Sequence, residues 1–165
     1  MRDNSDIRNR AGKIKLLLLD VDGVLTDGKI YLDRRGGEAK SFHVRDGSAL
    51  IRFRRAGLKP ALVSGRRSEA VTLRAGELGI GDIYQGVEDK IGVFEELLAR
   101  YSLREEEAAY IGDDLADLPV MGKVGLSAAP ADGHPAVRAA ADYVTSRRGG
   151  EGAVMEFVEL ILGER

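Results

Sequence analysis

Residues 16–28 read LLLLDVDGVLTDG, a run of four leucines that ends at Asp20 and leads into a polar loop with two glycines. A short apolar run followed by a turn is typical of a strand buried on both faces of a parallel sheet. An aspartate at the end of such a strand lies at the edge of the core. The stretch therefore predicts a central parallel strand with an acidic loop at its carboxyl end.

Similar runs recur along the chain and alternate with helical patterns. Predicted strands are 16–19, 61–63, 82–84, 108–111, 124–126 and 142–144; predicted helices are 48–56, 68–78, one through 91–101, a short one ending at 121 and one through 154–161. Residues 29–33 and 38–44 flank Arg34-Arg35-Gly36-Gly37, which predicts a β-hairpin. This alternation predicts the α/β class, with a Rossmann-like doubly wound parallel sheet.

Composition narrows the classes of protein. The 165 residues fit one domain, and we expect a single domain over 14–165 preceded by a flexible tail over 1–13. The absence of cysteine excludes disulfides, thiolate catalysis and cysteine-ligated zinc, and favours a reducing cytoplasm. A net charge of −2 argues against nucleic-acid binding, and no apolar run is long enough for a membrane span.

Three polar clusters follow predicted strands, at residues 20–22, 64–66 and 112–114. In an open α/β sheet, ligands bind outside the carboxyl ends of the strands, so we expect these clusters to meet at one site. They offer carboxylates and a hydroxyl, and no histidine lies in these loops. Such hard oxygen ligands suit Mg²⁺ better than zinc.

Asp20 and Asp22 are two residues apart, so both side chains face the same way if the extended backbone continues. One carboxylate can be the nucleophile while the other transfers protons. A carboxylate that attacks a phosphate is repelled by like charge, and Mg²⁺ between them reduces the repulsion. Asp113 is the residue that we expect to bind Mg²⁺ as the third ligand, after Asp20 and Asp22.

Each cluster also has a plain structural interpretation. Asp22 can belong to an ordinary Asp-Gly turn, and Ser64 can simply cap a helix. Asp113 and Asp114 can be helix caps, although together with Asp117 they exceed what one cap requires.

The basic residues are open to the same two interpretations. Lys90 begins a predicted helix, where the dipole disfavours a cation and a bound phosphate would offset that penalty; it can also be a solvated surface lysine. Arg45, Arg66 and Arg74 can be exposed, yet each lies in or near a loop that faces the expected site.

The ordered set of motifs resembles the four motifs of the haloacid dehalogenase superfamily and covers most of the chain. The stretches DVDGVLTDG at 20–28, VRDG at 44–47, GDDLADLPVM at 112–121 and GGEG at 149–152 are closer still. They resemble 3-deoxy-D-manno-octulosonate 8-phosphate phosphatases and the related nonulosonate 9-phosphate phosphatases, which lack a cap domain.

The resemblance implies a role for each matching residue. Asp20 is the nucleophile; Asp22 protonates the leaving oxygen, later activates water and binds Mg²⁺ through its backbone carbonyl. Asp113 also binds the metal, with support from Asp114 and Asp117. Phosphoryl oxygens are held by Ser64 and Lys90. The positions that contact the sugar acid are Val44, Arg45, Asp46, Gly47, Arg66 and Arg74.

Spacing leaves no room for a cap, because only 25 residues separate Ser64 from Lys90 and the other insertion point holds only the hairpin. Family members close the open site by forming homotetramers, with the hairpins packed as a central barrel and a neighbour's C-terminal segment near the site. We expect the same arrangement here.

The substrate and two rival functions stay open at this point. Octulosonate-specific members have an arginine where this chain has Ile51, and a basic residue where it has Glu151, so a nonulosonate phosphate is the alternative. A phospho-receiver places its acid pair and its phosphorylated aspartate on different strands, unlike this chain. A non-catalytic oligomerisation module would not need the full set of catalytic residues, and phosphoryl transfer to another sugar is a further option.

Overall fold

The computed structural model describes residues 4–164, and a six-stranded parallel sheet forms the centre of the molecule. Its spatial order is β5-β4-β1-β6-β7-β8. The strands are β1 Leu16–Leu19, β4 Lys59–Ser64, β5 Asp82–Gln85, β6 Ala108–Ile111, β7 Leu126–Ala129 and β8 Tyr143–Val144. β1 pairs with both β4 and β6, so the four leucines are fully buried and Asp20 emerges between two neighbouring loops.

Helices cover both faces of the sheet, which confirms the doubly wound α/β prediction. They are α1 Asn4–Ala11, α2 Val44–Arg55, α3 Glu69–Leu78, α4 Lys90–Tyr101, α5 Leu118–Met121, α6 Pro135–Ala140 and α7 Ala153–Leu162. Leu17 and Leu19 point to the face covered by α1, α2, α3 and α7, while Leu16 and Leu18 point to α4, α5 and α6. This alternation follows from the period of two along a strand.

The predicted hairpin is present but short, with β2 Tyr31–Leu32 paired to β3 Glu38–Ala39 in antiparallel register. The chain between Ser64 and Lys90 forms only α3 and β5 as regular elements, so no cap domain is inserted there. Within residues 4–164, no helix is both long and apolar enough to cross a membrane.

The prediction of a flexible tail is wrong for residues 4–11, which form α1. Ile7 and Ala11 are buried in the core beside α7, and the Arg10 guanidinium donates hydrogen bonds to the Gly125 carbonyl (2.7 Å) and to Asp142. Two apolar residues four positions apart suffice to dock a short helix whose other side chains are polar. Residues 1–3 lie outside the described range.

The bounds of α2 and β7 and the presence of α6 also differ from the prediction. α2 begins at Val44 rather than 48, because Gly47 gives α2 close packing against α3 instead of marking a loop: a Cβ there would lie 2.3 Å from Arg74 Nη2. β7 begins at Leu126 and extends to Ala129, later than the predicted strand over 124–126. The short helix α6, which begins at a proline, was not predicted.

Candidate active site

A cleft opens at the carboxyl ends of β1, β4 and β6, as the loop positions predicted. It is lined by Asp20, Asp22, Ser64, Gly65, Arg66, Val87, Glu88, Lys90, Asp113, Asp114, Ala116 and Asp117. Three loops that are far apart in the sequence therefore converge, because neighbouring parallel strands end at the same edge of a sheet.

Lys90 lies at the base of this cleft and connects two of its carboxylates. Its ammonium donates to Asp20 Oδ1 at 3.0 Å and to Asp117 Oδ1 at 2.6 Å. It also donates to the Tyr110 hydroxyl at 3.2 Å. The side chain is 8% exposed, so the interpretation of Lys90 as a solvated surface residue is wrong. A buried ammonium with two carboxylate partners is held in one position and points at the nucleophile candidate.

Asp117 has no free oxygen to offer. Its Oδ1 accepts from Lys90 and from the Tyr110 hydroxyl (2.6 Å), and its Oδ2 accepts from the backbone N–H groups of Asp113 (2.9 Å) and Asp114 (3.1 Å). The carboxylate is fully buried. A carboxylate occupied in this way shapes the loop and orients Lys90 rather than binding a ligand directly.

Asp113 and Asp20, unlike Asp117, have carboxylate oxygens that remain available to a cation. Carboxylate oxygens of Asp20, Asp113 and Asp117 lie within 4.8 Å of one another. The Oδ1 atom of Asp113 is buried and receives no hydrogen bond within the part of the chain that the structure describes. Gly23 makes this approach possible, because a Cβ at that position would lie 2.0 Å from Asp113 Oδ2.

The proximity of these acids changes their pKa values. Burial, followed by the charge of Asp20, raises the pKa of Asp113 from 3.8 to about 8. Burial and the charge of Asp117 raise the pKa of Asp20, although Lys90 opposes this. For Lys90, burial disfavours the charge, but Asp20 and Asp117 outweigh it and raise its pKa. Such a cluster of unneutralised acids fits a divalent cation.

Asp22 lies in the cleft, but its carboxylate is not part of the metal-binding geometry. Its Oδ1 accepts from the ammonium of Lys40 at 2.5 Å, and its Oδ2 lies 4.0 Å from Arg66 Nε. Burial opposes the charge of Lys40, but hydrogen bonds to Asp22 and Glu38 outweigh it and raise the pKa of Lys40. The side chain of Asp22 therefore contacts Lys40 and Arg66 rather than the cluster of Asp20, Asp113 and Asp117.

The last residue of β4 supplies a hydroxyl to the same cleft, and the loop after β4 supplies a cation. Ser64 is buried, and its Oγ accepts the backbone N–H of Arg66 at 3.2 Å. The Arg66 guanidinium is half-exposed and donates to Glu38 at 2.8 Å. The hydroxyl hydrogen of Ser64 remains available for an anion in the cleft.

The remaining predicted sugar-binding positions are not in this cleft. Val44 and Arg45 are exposed on the first turn of α2, Gly47 is buried against α3, and Arg74 pairs with Glu77 at 3.0 Å. Among the described residues of that set, only Arg66 lines the cleft together with Asp20, Asp22 and Asp113.

Asp46 makes a structural contact between two helices. It is buried, and its Oδ1 accepts the backbone N–H of Met155 at 2.8 Å. Met155 belongs to the first turn of α7, whose unpaired N–H groups and dipole favour a carboxylate. Asp46 therefore joins α2 to α7.

A C-terminal glycine segment, Gly149 and Gly150, braces the loop after β1. The N–H of Gly150 donates to the Val24 carbonyl at 3.0 Å. A Cβ on Gly149 would lie 1.8 Å from the Gly23 carbonyl oxygen, and one on Gly150 would lie 2.5 Å from the Asp27 nitrogen. Only glycine permits this backbone-on-backbone contact.

Sequence reasoning missed three residues of the site: Glu38, Lys40 and Tyr110. The two charged residues lie two positions apart at the end of the hairpin, a spacing that places both on one face. That spacing was the available signal. Tyr110 lies in a buried strand, where its hydroxyl requires a polar partner.

Comparison with known proteins agrees with this geometry. Residues 75–158 match the model of the haloacid dehalogenase-like hydrolases. The chain is 48% identical over 157 residues to 3-deoxy-D-manno-octulosonate 8-phosphate phosphatase KdsC of Yersinia pestis, covering 95% of this chain and 84% of that protein. The crystal structure of the phosphatase from that organism superposes with a TM-score of 0.94, covering 95% of this chain and 85% of that one.

A second solved structure includes ligands. The Moraxella catarrhalis 3-deoxy-D-manno-octulosonate 8-phosphate phosphatase, in complex with magnesium, phosphate and KDO, is 40% identical with a TM-score of 0.95. The match covers 99% of this chain and 94% of that one. The chain therefore belongs to the haloacid dehalogenase-like hydrolases and, within them, to the family of the 3-deoxy-D-manno-octulosonate 8-phosphate phosphatases.

Proposed function

We propose that this chain is a magnesium-dependent phosphatase that hydrolyses 3-deoxy-D-manno-octulosonate 8-phosphate through a phospho-aspartyl intermediate. The observation that carries the proposal is the hydrogen bond from the buried Lys90 to Asp20. It holds Asp20 at the carboxyl end of β1, where the carboxylate of Asp113 lies close to that of Asp20. The relatives at 46–48% identity act on that substrate by name. The absence of cysteine supports a reducing cytoplasm as the place of action.

The proposed reaction has two steps. In the first, a carboxylate oxygen of Asp20 attacks phosphorus, the bond from phosphorus to the sugar oxygen breaks, and Asp22 gives that oxygen its proton. In the second, Asp22 takes a proton from water as the water attacks the phosphorus of the phospho-aspartate, which releases phosphate and restores Asp20. Ser64 and Lys90 hold the phosphoryl oxygens in both steps.

The residues present fit a magnesium ion. Asp20, Asp113 and the backbone carbonyl of Asp22 would hold it, since Asp113 Oδ1 is buried without a donor and Asp117 is fully occupied. When bound, the ion supplies positive charge that reduces repulsion between the carboxylate and the phosphate. Asp114 and Asp117 stabilise the loop after β6 that contains Asp113. Asp114 does so by accepting a hydrogen bond from the backbone N–H of Leu115 at 2.8 Å.

We expect magnesium to raise the thermal midpoint of unfolding more at about pH 9 than at about pH 6. Because the pKa of Asp113 is raised from 3.8 to about 8, its contribution to the stability of the metal-free fold is fully present below about pH 4 and is lost as pH rises through 8. A cation then relieves the repulsion that appears. Thermal melts with chelator and with magnesium measure the increments, which should become smaller and less dependent on pH in Asp113→Asn. Equal increments for the wild-type chain at both pH values would contradict the prediction.

The substrate assignment is tested by release of phosphate from a panel. 3-Deoxy-D-manno-octulosonate 8-phosphate should be the best substrate, ahead of nonulosonate 9-phosphates and common sugar phosphates. Ile51 is half-buried against the core on α2, and Glu151 is exposed between two glycines, so neither supplies the positive charge expected of octulosonate-specific members. A nonulosonate phosphate hydrolysed fastest would reverse the order.

We also expect a homotetramer held by the hairpins. Ile30, Tyr31 and Leu32 are 40%, 50% and 71% exposed, and Val44 at the start of α2 is 75% exposed. An apolar surface of this kind is typical of a contact between subunits. Leu32→Glu should dissociate the assembly in sedimentation experiments, whereas Leu73→Glu, at an exposed leucine of α3, should not. A wild-type chain that sediments as a fully active monomer would refute this expectation.

A further inference from the structure

The end of the hairpin reaches into the active-site cleft and forms a charged network there. Glu38 and Lys40 lie two positions apart and both turn inward. The Lys40 ammonium lies 2.5 Å from Asp22 Oδ1 and 3.0 Å from Glu38 Oε1. Arg66 binds the other Glu38 oxygen at 2.8 Å. A lysine of the insertion thus contacts the acid that the proposed reaction uses for proton transfer.

Lys40 cannot act on the substrate itself. Its side chain has no exposed surface, and it is absent from the lining of the cleft. Asp22, in contrast, retains 22% of its side-chain exposure and does line the cleft. Lys40 therefore reaches the cleft through its charged partners, directly through Asp22 and less directly through Glu38 and Arg66.

The contact restricts the motion of Asp22. A charge-assisted hydrogen bond to a buried ammonium holds one carboxylate oxygen in place, and the ammonium is itself anchored by Glu38. Proton transfer requires the acid within hydrogen-bond reach of the leaving oxygen, so a fixed rotamer lowers the entropic cost of reaching that geometry.

We propose that Lys40 is a positioning residue that holds the Asp22 carboxylate on the leaving-group side of the cleft. The proposal rests on the proposed phosphatase function. The ion pair with Glu38 restricts the Lys40 side chain, and the ion pair with Arg66 restricts Glu38 in turn. The hairpin therefore belongs to the catalytic apparatus as well as to the subunit contact.

The test compares leaving groups. Protonation by Asp22 is essential for a sugar alkoxide and nearly dispensable for p-nitrophenolate, which leaves as a stable anion. In Lys40→Met, kcat/KM for the sugar-acid phosphate should fall by about 100-fold, which is the lower end of what general acid catalysis contributes. For p-nitrophenyl phosphate, kcat/KM should fall by only about 10-fold. kcat/KM is the correct quantity because it covers only the steps up to release of the alcohol.

Two control variants separate this role from a general loss of structure. Lys40→Arg should restore much of the lost rate, since it keeps the charge and the donors. Lys29→Met removes an exposed lysine that precedes the hairpin and pairs with Asp27. This variant should leave the ratio of the two kcat/KM values unchanged. If Lys40→Met fails to fold, the double variant with Glu38→Gln removes the charge of both partners and allows the same comparison.

Equal losses on both substrates, or no loss on either, would overturn the positioning role and leave the phosphatase function intact. A wild-type chain inactive on both phosphates with magnesium present would instead contradict the proposed function. The two failures are therefore distinct.

Discussion

Asp20→Asn is expected to abolish turnover of the phosphate monoester while leaving the chain folded. The amide has no anionic oxygen to attack phosphorus, so no phospho-enzyme forms and the rate should fall by about a thousandfold or more. Phosphate release with magnesium present measures the loss, and retention of about a tenth of the wild-type rate would contradict it. Asp27→Asn, in the same loop but outside the cleft lining, is the matched control and should remain active.

The same variant should not be less stable than the wild-type chain in the presence of chelator. Burial and the charge of Asp117 raise the pKa of Asp20 above 3.8, so the ionised form is disfavoured in the fold. The stability associated with protonated Asp20 is present at low pH and is lost as pH rises through its folded pKa. A neutral amide avoids that loss, and Lys90 keeps Asp117 as its partner. A melt at neutral pH is the measurement; a large drop in the thermal midpoint would show that the lost activity reflects unfolding.

Lys90→Met should have the second largest effect, on both rate and stability. It removes the ammonium that lies 3.0 Å from Asp20 and 2.6 Å from Asp117, and leaves two buried carboxylates without a countercharge. Breaking a buried ion pair in this way costs about 3–5 kcal/mol of unfolding free energy. Loss of one preorganised charge contact to the phosphoryl group should lower kcat by about 100- to 1000-fold.

A double variant separates the two effects of Lys90. Lys90→Met with Asp117→Asn removes one buried charge together with its partner, so it should recover stability without recovering activity. Lys123→Met, at an exposed lysine that pairs with Glu95, is the control that should change neither. Wild-type kinetics in Lys90→Met would remove this lysine from the proposed site.

The central strand and the acid that follows it could be predicted because local pattern and global position agree there. Four consecutive leucines followed by a polar loop with glycines favour a strand covered on both faces, and the strand's end then places Asp20 at the ligand-binding edge. The same reasoning brought Ser64, Lys90 and Asp113 to one cleft, since each follows a strand or begins a helix at that edge.

The contacts of Lys40 and Asp46 could not be predicted, since each depends on chain segments far away in sequence. Lys40 becomes buried only when the hairpin folds back over the first loop, and Asp46 finds its partner at Met155. Helix α1 was missed for the same reason. Its helical pattern is weak, and docking of Ile7 beside the last helix stabilises it.

The glycine brace at Gly149 and Gly150 has a consequence for the order in which a working enzyme can arise during translation. Asp20, the proposed nucleophile, leaves the ribosome with the first strand, yet the loop that follows it is braced by Gly150, which is synthesised 126 residues after Val24 (150 − 24). A nascent chain that lacks Gly149 and Gly150 would hold Asp20 next to a loop without this backbone support. Competence for chemistry must therefore wait until Gly149 and Gly150 have been synthesised and have packed against the loop after β1.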